Sequence, residues 1–413
     1  MSGALDGVRV VELGVWVAGP GTAGLLADWG ADVIKIEPFA GDPARGFGPM
    51  LGGSVEDNPV FELDNRGKRS IVLDLSRPEG LDVARRLIAR ADVFATNIRA
   101  SALERLGLGP ESLTGEFERL IYAIVSGYGL DGADADRAAY DVAAYWARAG
   151  IADSLRTPDG PLPFQRAGMG DHTVAMTGAA MISAALFERE RTGRGQVVST
   201  SLLRQGVYTI GFDVNIALMW GRTIDAGVRE TMRNPSVNNY EAKDGTQFWI
   251  VGIEGDRHWP ALARAVGRPE WLDDPRFATA RGRAVNAREL ISELDGLFAT
   301  RTRAEWAERF DLEPDLFWAP VNSIDDVVSD PQFVASGAVV DVPDERGTLP
   351  MLASPADFGG AVPQPRWRAP RLGEHTEVVL EELGLDDRDI ARLVEAGVAG
   401  AGVAGSDRNR GAE

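Results

Sequence analysis

The sequence predicts an α/β protein: a parallel sheet with helices on both faces, joined to a smaller α+β domain. Three observations carry this. From Val8 to Val125, short apolar runs with strand character alternate with helical segments, the pattern of parallel sheets covered on both sides. A glycine-rich step, Gly19-Pro20-Gly21-Thr22-Ala23-Gly24, stands between the first two strands. Further on, a hairpin signal around Lys243-Asp244-Gly245, followed by helices, breaks the alternation.

Val8-Arg9-Val10-Val11-Glu12-Leu13 reads as a buried first strand. The glycine step then reads as a loop, Leu25 to Trp29 as a short helix, and Val33 to Glu37 as a second strand ending in an acid. This formally matches the dinucleotide fingerprint, so a nicotinamide dehydrogenase is a competing reading. Pro20 counts against it, because the loop should offer N–H groups to a pyrophosphate and proline has none. The glycines equally mark a tight strand-to-helix turn. Residues 38 to 67 read as a long loop, leading through Asn65-Arg66-Gly67-Lys68-Arg69-Ser70 into a strand at Ile71 to Leu75. Gly67-Lys68 lacks the upstream glycine of a phosphate loop, since Glu62 stands there. Ser76 and Glu79 have capping-box spacing before a helix reaching Arg90, with Leu81, Ala84, Leu87 and Ile88 on one face. Asp92 to Thr96 is a strand, Asn97 to Leu106 a loop and short helix, and Leu120 to Val125 a strand. Ligands of such folds sit at the carboxyl ends of strands, where Lys35, Lys68, Asn97 and Ser126 fall.

Residues 131 to 138 are polar and loop-like, and Tyr140-Asp141 opens a helical stretch to Ala149. The stretch Gln165 to Leu202 follows. Asp171 stands where the loop Ala167-Gly168-Met169-Gly170 becomes a helix, with Val174, Gly178, Met181, Ile182, Ala185 and Leu186 at helical spacing. On spacing alone Asp171 is a helix N-cap, and the free N–H groups and helix dipole should lower its pKa. The helix reaches about Arg191, Thr192-Gly193-Arg194-Gly195 ends it, and Gln196 to Ser199 is a strand. Residues 1–205 thus make the first part of a large domain. Residues 225–325 make a small one, with strands at Asn239 to Ala242 and Gln247 to Ile253 and helices near His258 to Val266, Ala287 to Phe298 and Arg303 to Phe310. Residues 326–397 read as a linker and a return to the large domain: short antiparallel strands, an extended segment from Pro363 to Pro370, and helices at Glu377 to Leu383 and Asp387 to Ala396. Residues 398–413 read as a disordered tail.

Composition narrows the function. With no cysteine, disulfides, thiolate zinc sites and a cysteine nucleophile are excluded. His172, His258 and His375, the only histidines, show no metal-ligand spacing. A net charge of −19 argues against a nucleic-acid binder and requires a local basic pocket for any anionic ligand. Lysine is rare: only Lys35, Lys68 and Lys243. No apolar run is long enough for a membrane span, and Met1-Ser2-Gly3-Ala4-Leu5 passes straight into a strand, so a cytoplasmic enzyme is the expectation.

The Gly170-Asp171 step, the Gly/Ala-rich helix and T-G-R-G-Q-V-V resemble family III CoA-transferases, which include formyl-CoA transferase, carnitine CoA-transferase and the related alpha-methylacyl-CoA racemase. So do L-D-G-V-R-V-V-E-L at the start, V-I-K-I-E-P at Val33 to Pro38, N-R-G-K-R-S-I-V-L-D at Asn65 to Asp74, N-I-R-A-S-A-L-E-R-L-G-L at Asn97 to Leu108 and R-A-P-R-L-G-E-H-T at Arg368 to Thr376. The resemblance covers nearly the whole chain. It implies a Rossmann-like large domain, an interlocked homodimer, coenzyme A and acyl-CoA as substrates, a carboxylic acid as acceptor, and no permanently bound cofactor. It makes Asp171 the nucleophile. It places Lys68, Asn97, Ile98, Arg99, Ala102 and Arg105 against coenzyme A, with Lys68 and Arg105 holding its phosphates. Tyr140 and Asp141 fall beside the catalytic carboxylate, and Val17 and Ala18 along the acyl pocket. Each has a structural alternative: Arg105 as a surface ion-pair partner, Tyr140 as core, Asn97 as a helix cap. The racemase branch has a histidine where Tyr140 stands, which favours transfer over racemisation. Formyl-CoA transferase has a glutamine in place of Val17 and a glycine run near Arg233-Asn234-Pro235-Ser236, so formate and oxalate are disfavoured and Val17 beside Trp16 suits a larger acyl group. A CoA-binding relative without activity is the remaining reading.

Overall fold

The computed structural model describes residues 3–53, 58–157, 160–224, 227–344 and 347–401. The chain divides into two units: Met1–Asp153, Phe164–Thr223 and Ala335–Glu413 form the first, Ser154–Pro163 and Ile224–Val334 the second.

In the first unit β1 (Arg9–Leu13), β2 (Asp32–Glu37), β3 (Arg69–Val72), β4 (Val93–Thr96), β5 (Ile121–Ser126) and β6 (Val197–Ser201) form one sheet in the order β3-β2-β1-β4-β5-β6. Every neighbouring pair is parallel. Successive side chains point to opposite faces, and the central strands are covered on both, so they are mostly apolar, with Glu12 on β1 and Lys35 on β2 as buried exceptions. The intervening helices are α1 (Ala18–Asp28), α2 (Phe47–Met50), α3 (Pro59–Asn65), α4 (Pro78–Ile88), α5 (Ala100–Arg105), α6 (Pro110–Glu116), α7 (Ile151–Ser154), α8 (Met169–Thr192), α9 (Leu202–Thr209) and α10 (Gly211–Trp220). Val10, Val33, Val93 and Ile121 meet Ala23 and Leu26 of α1 and Ala179 and Ile182 of α8 on one face. On the other, Val11, Ile34, Phe94 and Tyr122 cluster with Val83 and Leu87 of α4.

The second unit holds an antiparallel sheet, β7 (Val237–Glu241), β8 (Gln247–Val251) and β9 (Trp318–Pro320), with α11 (Gly255–Ala265), α12 (Ala280–Val285), α13 (Ala287–Phe298), α14 (Arg303–Phe310) and α15 (Ile324–Ser329). Its core is aromatic: Tyr240, Phe248, Trp259, Phe298, Trp306 and Phe310 are all buried. After α16 (Pro331–Ala335), β10 (Val339–Asp344) pairs antiparallel with β11 (Gly347–Leu352). Helices α17 (Thr376–Glu382) and α18 (Asp387–Glu395) add Val379, Leu380 and Ile390 to the α4 side of the large sheet. Among the described residues no helix is long and apolar enough to cross a membrane.

Several sequence expectations need correction. The glycine step is not a loop but the body of α1, with the Gly21 amide donating to the Val17 carbonyl at 2.6 Å. Packing explains the glycines: a Cβ at Gly24 would lie 2.6 Å from the Asp64 carbonyl, and one at Gly178 on α8 would lie 2.5 Å from Thr22 Oγ1. These glycines let α1 lie close to α3 and α8. The dinucleotide reading loses its loop, because the glycine step lies within α1 and the Gly21 amide is bonded to Val17. Residues 38 to 67 are not all loop either, since Asn58 caps α3 and Pro59 opens it. The Ser76 capping box does not form; Ser76 Oγ donates to Asp74 at 2.6 Å and α4 begins at Pro78. The helical stretch after Tyr140 is a π-helix, Val142–Arg148, a rare form that is frequent at functional sites. The start of the expected tail is packed: Val398 and Ala399 are buried, and the Gly400 amide donates to Val72. Residues 402–413 lie outside the described residues.

Candidate active site

Strand order reverses between β1, which continues to β2, and β4, which continues to β5. Ligands of open parallel sheets bind in the crevice beyond the strand ends at such a point. Here Asn97, just past β4, clamps the turn that leaves β1: its Oδ1 accepts from the Val15 amide at 2.9 Å, and its Nδ2 donates to the Val15 carbonyl at 2.8 Å. Thr96 Oγ1 adds a bond to the Leu13 carbonyl. The next residue, Trp16, has φ +65°, the only described non-glycine residue with positive φ. Such strain persists where neighbours enforce it; Asp42 accepts the Trp16 amide at 3.0 Å, and the indole packs against Tyr140 and Phe47 with centroids 5.8 and 5.6 Å away. A cleft of about 110 Å³ opens here, its wall including Trp16, Ala18, Asn97, Ile98, Arg99, Ser126, Arg137, Tyr140 and Asp171. Asn97→Ala removes both clamp bonds and is expected to lower unfolding stability by about 1–2 kcal/mol in urea titrations, the usual range for paired backbone groups left without partners.

Asp171 enters from the start of α8. The helix begins at Met169, after Gly168 at φ +77°, so Asp171 lies inside the first turn and not at the cap. Gly170 must be glycine, because a Cβ there would meet the Tyr145 ring at 2.5 Å. The expectation of a lowered pKa is wrong in sign. Burial, then the nearby Asp141 charge, push Asp171 up to about 7, outweighing the pull of His172. Asp141 is itself buried, and its Oδ2 accepts from Gln165 Nε2 at 3.1 Å.

Beneath the turn lies a buried ionic cluster that the sequence did not reveal. Glu12, Lys35 and Lys68 are fully buried, and each ammonium lies 2.7 Å from one Glu12 oxygen. Lys35 also donates to the Gly14 carbonyl and pairs with Asp42 at 2.9 Å. Lys68 donates to the Pro20 carbonyl and to Asn65 Oδ1. Burial would raise the Glu12 pKa, but the two ammonium groups hold it below the carboxylate norm. Burial, aided by Lys35, pulls Lys68 down to about 8 despite Glu12. Among the described residues no group of three or more His, Asp or Glu side chains could hold a metal ion.

The family profile described as CoA-transferase family III matches residues 5–376. The chain belongs to CoA-transferase family III. It is 30% identical over 397 residues to the (R)-2-hydroxy-4-methylpentanoate CoA-transferase of Clostridioides difficile, covering 95% of this chain and 99% of that one. It is 35% identical over 407 residues to the succinyl-CoA–D-citramalate CoA-transferase of Chloroflexus aurantiacus, covering 94% and 96%. Among solved structures, a CAIB/BAIF family protein from Brucella suis shares 31% identity with a TM-score of 0.80, over 93% of this chain and 100% of that one. The Mycobacterium tuberculosis protein Rv3272 shares 30% identity with a TM-score of 0.79, over 92% and 99%.

For a family III CoA-transferase, the site residues expected from sequence divide into three groups. Ala18, Asn97, Ile98, Arg99, Tyr140 and Asp171 share the cleft wall, and Asp141 acts on Asp171 through its charge. Val17 is buried one residue before α1, while Ala102 and the exposed Arg105 follow along α5, outside that wall. Lys68 needs correction: its three hydrogens are taken by Glu12, Pro20 and Asn65 in the interior, so it has none for a phosphate. Arg137 lines the cleft unforeseen, and Trp16, read from sequence only as the neighbour of Val17, lines it too. Arg137 is the one cation of the polar stretch 131–138 that was read as plain loop, and that was the available signal.

Proposed function

We propose that the protein moves coenzyme A from an acyl-CoA donor to a carboxylic acid acceptor through covalent intermediates on Asp171. The observation that carries this is one carboxylate, held at about 7, on the wall of a cleft at the reversal point of the sheet. The Asp171 carboxylate attacks the thioester carbonyl, forming an acyl–aspartyl anhydride and releasing the CoA thiolate. The thiolate attacks the aspartyl carbonyl of the anhydride, releasing the donor acid and leaving an aspartyl-CoA thioester. The acceptor carboxylate attacks that thioester, giving a second anhydride and the thiolate again. The thiolate then takes the acceptor acyl group, and Asp171 returns as a carboxylate. A carboxylate nucleophile divides one hard exchange into easier steps. Desolvation favours it, since a poorly hydrated anion is a better nucleophile than a hydrated one. Amides of the first turn of α8 are placed to meet developing oxyanions.

Arg99 and Arg137 on the cleft wall, with Arg105 further along α5, take the phosphate-binding role that Lys68 cannot. The names of the two relatives describe acids of moderate size, in keeping with the apolar Trp16–Val17–Ala18 turn. No permanently bound cofactor is needed. We place the enzyme in the cytoplasm, as an interlocked homodimer of Rossmann-like large domains. Helix α10 supports the dimer: none of its side chains is buried, and Phe212 (90%), Leu218 (78%) and Met219 (72%) are largely exposed, an apolar surface that a partner would cover.

The test is to incubate the enzyme with radiolabelled acyl-CoA and digest it. A hydroxylamine-sensitive label on the Asp171 peptide is the expected result. Exchange of CoA between donor and acceptor with no such label overturns the reading. Deuterium entering the alpha carbon with no acceptor present marks a racemase instead.

A further inference from the structure

Asp171 and the next residue, His172, face different neighbours. Asp171 lines the cleft, whereas His172 lines a separate cavity of about 620 Å³ with Gly21, Asp64 and Arg66. His172 Nε2 stands 3.2 Å from Asp64 Oδ1, and that carboxylate on α3 is only 4% exposed. Space for it comes from Gly21 on α1, whose Cβ would lie 3.1 Å from the same oxygen. On the other side the ring meets Gly168, where a Cβ would lie 3.4 Å from Cε1. A carboxylate this buried is costly to keep ionised without a cation on it. Lys68, the other positive charge acting on Asp64, already serves Glu12.

The charges facing His172 come from three places: Asp64 on α3, Asp171 on its own helix, and Asp141 at the start of the π-helical turn. All three are acids, negative when ionised. Of the groups acting on Asp171, Asp141 and Asp64 are negative and only His172 can be positive. The hydrogen bond to Asp64, the largest influence, raises the His172 pKa above its ordinary value.

We propose that His172, fixed by Asp64, is a positioning residue of the transfer site, whose imidazolium is the counter-charge that lets Asp171 remain a carboxylate beside Asp141. The inference rests on Asp171 being the nucleophile, because only then does its ionisation set the rate. In the anhydride Asp171 carries no charge, and the imidazolium stays paired with Asp64. When the carboxylate is released, the counter-charge is still in place. His172 thus touches neither CoA nor acyl group.

The experiment is the pH profile of adduct formation, measured as kcat/KM, in wild type, His172→Gln and His172→Lys. In wild type the acid limb is expected near 7, the value of Asp171. His172→Gln should move it upward by about one pH unit, a roughly tenfold loss at pH 6, because the favourable charge is gone. His172→Lys should return it most of the way. An unmoved limb in His172→Gln overturns the proposal, as does a His172→Lys profile identical to that of His172→Gln, which would mean ring packing and not charge. A second measurement needs no variant. With three histidines in the chain, nitrogen-15 NMR of the wild type should find the His172 ring titrating above the ordinary imidazole value; a ring that titrates at or below it overturns the proposal even if the variants do not fold. The two readings fail separately. Exchange that survives in Asp171→Asn removes the transfer mechanism, whereas an inactive Asp171→Asn beside an unmoved His172→Gln limb removes only the counter-charge.

Discussion

Asp171→Asn is expected to abolish CoA exchange, by at least about a thousandfold, and to make the folded protein more stable above pH 7. The first effect follows because an amide cannot form the anhydride. The second follows from the raised pKa. Asp171 titrates at about 7 in the folded chain against an ordinary 3.8, so between those values the native state binds a proton that the unfolded state has released. Stability associated with this group is therefore fully present below 3.8 and is lost as pH climbs through 7. At about 1.4 kcal/mol per pH unit the full difference is about 4 kcal/mol, and solvent in the cleft reduces it to about 1–3 kcal/mol. Urea titrations at pH 5 and pH 8 check this: the gain of the variant on wild type should be larger at pH 8 than at pH 5. A variant less stable than wild type at pH 8 would mean that the carboxylate is well solvated or paired, and the case for an activated nucleophile would fall. A site whose removal stabilises the fold is one where stability has been traded for reactivity.

The sequence singled out Asp171 but shifted its pKa in the wrong direction, and the reason is distance along the chain. Capping rules consider the four residues around a helix start. What sets Asp171 is first its burial in the folded chain and then the charge of Asp141, thirty positions earlier. Helices α13 and α14 were legible to the residue, because their amphipathic spacing and the Thr302–Glu305 capping box are local. The glycine step misled for the opposite reason. Glycine lowers local helix propensity, but here it serves the close approach of α3 and α8 to α1, a three-body packing that no window of sequence displays. Lys68 shows both sides. The scarcity of lysine marked it as unusual, yet its partner Glu12 lies 56 residues away, and a lysine near a strand end reads as a ligand-facing cation.

Glu12→Gln should be among the most damaging single changes in the large unit. Glu12 is fully buried, and its two oxygens serve two ammonium groups, each at 2.7 Å. The amide offers one acceptor and turns a donor toward the other ammonium, so a charge is left buried without its counter-charge. Breaking a buried pair in this way costs about 3–5 kcal/mol. The deficit should depend on pH in a definite direction. Lys68 already sits at about 8, and losing Glu12 lowers it further below the ordinary 10.5. A base with a lowered folded pKa binds fewer protons folded than unfolded, so the variant should regain stability between pH 7 and 9; urea titrations at those two values measure it. The functional consequence runs through the backbone, because Lys35 holds the Gly14 carbonyl and Lys68 the Pro20 carbonyl, on either side of Trp16, Val17 and Ala18. Replacing all three charges together, as Glu12→Gln with Lys35→Met and Lys68→Met, removes the unpaired ammonium groups and should recover much of the stability. It also leaves both carbonyls without their donors, so the KM for acyl-CoA should stay high. Recovery of stability without recovery of binding would assign the cluster to shaping the turn. Recovery of both would make it a bystander of the fold.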